Sequence, residues 1–189
     1  YVPMVPIIIF IFNRKSIHWS VWPSVFLCVI GGYLLTNFQD ATVRLGDTLV
    51  LLGALFWSTH IIFTGIMVTK YNLPLTVGAT QTLIVSLFSF IIGSIYEEFI
   101  FKNILNEIYS ILYAGILSGG IAFVLQIYAQ RNITPAPAAI IFSLEGVFAT
   151  IAAWFLLNQI LNIDNLLGCF FILCGVLLSQ LLPLIKKKA

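Results

Sequence analysis

The chain has 189 residues, of which 60% are hydrophobic and only 8% charged, with a mean hydropathy of +1.06 and a formal net charge of +2. A soluble domain carries about 25% charged residues, so this composition excludes an ordinary soluble fold and indicates a polytopic membrane protein. The small, scattered positive charge lacks the basic face that a nucleic-acid partner requires.

Seven apolar segments follow one another along the chain. The first, Tyr1–Phe12, covers only about 18 Å of a hydrocarbon core roughly 30 Å thick, so the expectation is that the sequence starts inside a helix. The others are about Trp19–Thr36, Thr48–Thr69, Leu73–Tyr96, Ile108–Gln130, Pro135–Leu157 and Leu166–Ile185. Backbone groups in lipid must be satisfied within the segment, which makes each a helix. Asp47–Thr48 and Thr134–Pro135 carry helix-start signals. Trp19, Trp22 and Tyr96 fall at segment ends, where aromatic residues anchor at the interface. The three cysteines, Cys28, Cys169 and Cys174, lie inside apolar runs without metal-ligand spacing and read as small core residues.

Basic residues set orientation. With Lys186, Lys187 and Lys188 cytoplasmic, Arg14, Lys15, Lys70 and Arg131 fall on the same side and only Arg44 and Lys102 opposite. Asp40, Asp47, Glu97, Glu98, Glu107 and Asp164 then lie outside. Glu145 alone is left deep in a segment.

A slide of 143 positions brings Ile17 over Ile160, Pro3 over Gly146 and "GGYLL" over "CGVLL", with Gly32 on Gly175. Five helices separate equivalent points. An odd number inverts the second copy relative to the first, the inverted repeat of many transporters. On this reading about three helices of a first repeat would precede Tyr1.

Glu145 lies ten residues past Pro135, about 15 Å along the helix and so near the midplane. An ionised side chain there costs at least about 2.5 kcal/mol. Such a carboxyl is kept if it is neutral, paired or facing water. Two readings stand: a cavity group that binds a cation or carries a proton, and a carboxyl that clasps a neighbouring helix. Trp57, His60 and Thr64 share one helical face by their spacing, forming either a polar-aromatic cavity wall or a set satisfied by nearby backbone. Gln81 and Gln126 are uncharged hydrogen-bonders at depth, with Gln130 one turn beyond Gln126. They serve as cavity lining or interhelical glue. Gly115, Ser118, Gly119 and Gly120 in "GILSGG" read as packing or hinge.

No P-loop occurs, and neither HExxH nor GxSxG accompanies His18 and His60. The chain therefore reads as no enzyme, with no metal and no cofactor. The remaining classes are a secondary transporter and a non-transporting membrane subunit or inactive fragment.

"YAQRNITPAPAAIIFSLEGVFATIAAWFLLNQIL" followed by "LLGCFFILCGVLLSQL" resembles the last two helices of EamA-type members of the drug/metabolite transporter superfamily. "GDTLVLLGALFWSTHIIFTG" resembles the start of the same domain. The resemblance implies an all-α, ten-helix fold of two inverted five-helix repeats, of which seven transmembrane helices are here. Residues 1–38 would end the first repeat, 46–185 form the second, and 186–189 make a cytoplasmic basic tail. It also implies export or exchange of small organic metabolites, amino-acid-like or drug-like, by alternating access. Trp57, His60, Thr64, Gln81, Gln126 and Glu145 are the candidate cavity residues, with Glu145 the candidate for proton coupling. The implied setting is a bacterial plasma membrane, with a small-molecule substrate and the lipid bilayer as partners and a homodimer as one candidate assembly. The family usually has Leu-Glu-Pro where this chain has Leu144-Glu145-Gly146, and Gly-Glu where it has Asn158-Gln159.

Overall fold

A computed structural model describes residues 1–13, 17–36 and 45–186. Arg14, Lys15, Asp40, Arg44, Lys187 and Lys188, which enter the orientation count, lie outside the described residues. All regular elements among the described residues are helical. They are α1 (Met4–Ile8), continued by a π-helical turn over Ile9–Asn13, then α2 (Val21–Leu35), α3 (Leu45–Tyr71) and α4 (Pro74–Tyr96). There follow α5 (Phe101–Asn106), α6 (Ile108–Gln130), α7 (Pro135–Leu157) and α8 (Ile163–Lys186).

Five helices, α3, α4, α6, α7 and α8, are long and apolar enough to cross a membrane. The other two expected segments fall short. α2 has 15 residues, about 22 Å of helix, and α1 has five before its winding changes. The apolar loop after Glu98 holds the short helix α5, which no periodicity announced. Leu45 is already helical, so Asp47 sits in the first turn of α3 rather than capping it. Thr134 does occupy the cap position, with extended backbone and Pro135 at the first helical position, yet its side chain makes no capping bond. The proline, which has no N–H to satisfy, suffices to start the helix there. At the other end of α7, Asn158 takes a left-handed φ of 51°, and the Gln159 N–H closes on the Ala153 carbonyl at 3.2 Å. Asn is among the few non-glycine residues that accept this conformation.

Two compact units result, one of residues 1–63 with 134–189, the other of 64–133. In the first, α2 and α8 run antiparallel along a seam of small residues. A Cβ on Gly31 would stand 2.6 Å from both the Gly168 carbonyl oxygen and Ile172 Cγ1. One on Gly175 would stand 2.8 Å from the Ser24 carbonyl oxygen and 2.7 Å from Cys28 Sγ. The backbones approach this closely because neither glycine carries a side chain. In lipid, van der Waals contact of this kind holds helices together. Around the seam Val21, Val25, Cys28, Ile172 and Val176 form one buried cluster with Val5, Ile61, Ala136, Ala139, Ile140 and Val147.

In the second unit α4 packs on the C-terminal part of α6. Gly78 lets Ile127 approach, an added Cβ lying 3.2 Å from its Cδ1. Tyr113–Ala122 of α6 is wound as a π-helix. Gly115 and Gly119 in that stretch are exposed, and nothing but their own helix lies near them or Gly120. In this unit the glycine-rich stretch thus loosens the helix rather than packing it. Within the most apolar stretch of α6 0% of residues are buried, and in α4 6%. Apolar faces of this kind suit lipid tails or the apolar faces of other helices.

Candidate functional site

α7 keeps right-handed helical dihedrals through its middle, with Ser143 at φ −62° and ψ −16°, and only its hydrogen-bond pattern breaks there. The Ser143 N–H bonds the Ile140 carbonyl at 3.2 Å, and the Gly146 N–H bonds the Ser143 carbonyl at 3.2 Å. Both are three-residue bonds that tighten the turn in place of four-residue ones. The Phe142 carbonyl thereby loses the donor that a continuous helix would supply. The Ser143 hydroxyl reinforces the turn by donating to the Ile140 carbonyl at 2.5 Å. It also lies 3.5 Å from Cys28 Sγ on α2, so the break is held against a neighbouring helix.

Glu145 is in the first turn after the break. It is exposed, although Gly146 and Val147 beside it are not. Among the described residues its carboxylate makes no hydrogen bond or ion pair. Its polar neighbour is the Tyr1 phenol, which lies within electrostatic reach of both Glu145 and the Cys28 thiol. Tyr1 packs against the buried cluster, and its carbonyl lies 3.4 Å from the Ser58 hydroxyl of α3 as acceptor. Four helical segments thus contribute to one place: Tyr1 ahead of α1, Cys28 of α2, Ser58 of α3 and Ser143 with Glu145 of α7.

On α3 the Trp57 indole and the His60 imidazole stack, with ring centroids 5.1 Å apart and planes at 25°. Trp57 is exposed and His60 half-buried, so the pair offers an aromatic surface with a polar edge. These two and Glu145 belong to the first unit. Thr64, Gln81 and Gln126 belong to the second, where Thr64 is buried and both glutamines are half-buried. Gln130 is fully buried there with neither amide atom hydrogen-bonded. Among the described residues no group of three His, Cys, Asp or Glu side chains comes together to hold a metal.

Sequence reasoning singled out Glu145, Trp57 and His60 but missed Tyr1 and Ser143. A serine two residues before an intramembrane carboxyl is a readable sign of a weakened helix. Tyr1 gave no sign, since its nearness to Glu145 depends on chain packing.

These helices and this polar break define a multi-pass integral membrane protein. Residues 44–181 match the EamA-like transporter family, and the chain belongs to that family. It is 27% identical over 187 residues to a protein of Archaeoglobus fulgidus named an uncharacterized transporter, covering 96% of this chain and 58% of that one. It is 25% identical over 146 residues to the uncharacterized transporter YoaV of Bacillus subtilis, covering 74% of this chain and 48% of that one. The chain spans about half the length of the curated relatives it matches. No solved structure matches it.

Proposed function

We propose that this chain forms part of a secondary transporter that exports or exchanges small organic metabolites by alternating access and is not an enzyme. Family membership supports the transporter class. The observation that carries the mechanism is the Glu145 carboxylate, exposed near half-depth beside the Tyr1 phenol and a turn of α7 tightened at Ser143, since secondary transporters build their binding sites near the midplane. An unpaired carboxylate there is too costly to be incidental. Trp57 and His60 of the same unit are proposed to line the cavity with Glu145, while Thr64, Gln81 and Gln126 are separate candidates within the second unit.

The proposed architecture is ten helices in two inverted repeats, with seven here. The seam between α2 and α8 supports it. A shift of 144 positions carries Gly31 onto Gly175, Ser24 onto Gly168 and Cys28 onto Ile172. The contacts of Gly31 and of Gly175 are therefore the same contacts exchanged. Each glycine meets one backbone carbonyl and one γ atom of the partner helix. Antiparallel equivalents are what inverted copies require, and the packing favours an offset one residue longer than sequence matching suggested. The proposed setting is the plasma membrane with the C-terminus cytoplasmic.

The test is flux in reconstituted vesicles across a metabolite panel at several pH values. Substrate-dependent flux is expected, with a pH dependence that Glu145→Gln abolishes while the variant remains folded. A folded protein that moves nothing overturns the transporter reading. An unchanged pH profile in the variant removes Glu145 from coupling.

A further inference from the structure

Within the second unit, α4 and α6 hold the two ends of one short connection at one membrane surface. Each helix has 23 residues, about 34 Å, enough to cross a hydrocarbon core of roughly 30 Å. α4 ends at Tyr96 and α6 begins at Ile108, so residues 97–107 start and finish at the same interface. The chain does not loop away into water. The Phe99 ring turns back onto α4 and lies 6.0 Å from the Phe90 ring, centre to centre. Phe90 precedes Tyr96 by about 9 Å of helix, so Phe99 points toward the core rather than away from it.

The protein leaves the apolar side chains of this connection uncovered. Tyr96, Phe101 and Tyr109 are 83%, 71% and 85% exposed, and Phe90 and Phe99 are exposed as well. In α5, Phe101 and Leu105 lie one turn apart on one face, both exposed, while Lys102 and Asn106 share another. Glu97, Glu98, Lys102 and Glu107 are exposed among these rings. Glu107 is held at the start of α6, where its carboxylate accepts the Ser110 hydroxyl at 3.1 Å. A seam with another helix would have to bury these charges, at high cost. A headgroup layer takes both kinds of side chain, rings at the acyl boundary and charges among the headgroups. Three glutamates against one lysine give residues 97–107 a net charge of −2, which an anionic surface repels. A zwitterionic headgroup offers its ammonium to the glutamates and its phosphate to Lys102.

We propose that residues 96–109 form a membrane-surface anchor, which seats Phe99, Phe101 and Leu105 at the acyl boundary of a zwitterionic phospholipid leaflet. The anchor fixes the depth of the α4–α6 pair in the bilayer. This inference does not depend on the transporter reading.

The test places an environment-sensitive maleimide dye at Phe101→Cys and at Asn103→Cys in the full chain, in phosphatidylcholine nanodiscs. Cys28 is buried and Cys169 and Cys174 half-buried, and the labelled parent supplies their background. Quenching is read from two sides, by a lipid spin-labelled near the glycerol backbone and by aqueous iodide. The lipid quencher is expected to act about twofold or more strongly at Phe101→Cys than at Asn103→Cys, and iodide in the reverse order. Replacing half of the lipid by phosphatidylglycerol should lower the lipid quenching at Phe101→Cys. The anchor is overturned if iodide reaches both positions alike, which leaves the connection in water. It is equally overturned if neither quencher reaches Phe101→Cys, which means that a second copy or further chain covers it. Equal or stronger lipid quenching in the anionic discs overturns the zwitterionic assignment. Leu105→Cys and Asn106→Cys carry the same comparison one turn on, so a misfolded Phe101→Cys still leaves a decisive result.

Discussion

At Gly31 an added methyl would meet a carbonyl oxygen and a side-chain carbon at 2.6 Å, while at the adjacent Gly32 it would meet nothing within 4 Å. The two positions are alike in the sequence, where "GG" reads only as small. Sequence matching paired Gly32 with Gly175, but in the folded unit it is Gly31 that shares the seam. The substitutions should therefore part in sign. Gly31→Ala is expected to destabilise by about 1–3 kcal/mol, the cost of overpacking where backbone cannot yield. Gly32→Ala should be neutral or stabilising by about 0.5–1 kcal/mol, since alanine is the better helix former. Denaturant unfolding in detergent measures both, and equal effects would contradict the seam. Glu145 shows the same limit of one-dimensional reading. Its charge and depth were legible from Pro135 onward, but its exposure beside the Tyr1 phenol was not, because that neighbour comes from the far end of the chain.

Among the elements, α7 was the most legible. Its start at Pro135 and its end at Leu157 follow from proline chemistry and from the left-handed tolerance of Asn158. The tightened turn within α7 falls at Ser143, where a hydroxyl competes for the helical carbonyls. Ser143→Ala should let α7 relax toward continuous winding and free the contact at Cys28. The expected result is faster modification of Cys28, now buried at 4% exposure, by a membrane-permeant thiol reagent. Unchanged labelling would mean that the turn is held by backbone bonds alone. Two elements were not legible. α5 lies in a stretch whose apolar residues follow no helical period, and the π winding of α6 turns on which carbonyl each N–H selects, a choice that "GILSGG" leaves open.

For the whole molecule, hydropathy revealed the helical membrane class because lipid allows so few alternatives. Five of the seven expected segments are helices long and apolar enough to cross a membrane, while the described parts of α1 and α2 are shorter than their apolar runs. Orientation remains an inference from charge: Arg131 cytoplasmic, Glu97 and Glu98 opposite. Single cysteines at Asn132 and Glu98 test it. A membrane-impermeant maleimide added outside intact cells should label Glu98→Cys and spare Asn132→Cys, and the opposite pattern would invert the topology.

The crossing of α2 with α8 carries a consequence for how this gene can change. Gly31 and Gly175 lie far apart in the reading frame, yet they guard the two halves of one joint. A heritable change at either site opens the same joint, so selection meets the two codons as a single target. Drift at one is felt at once by the other.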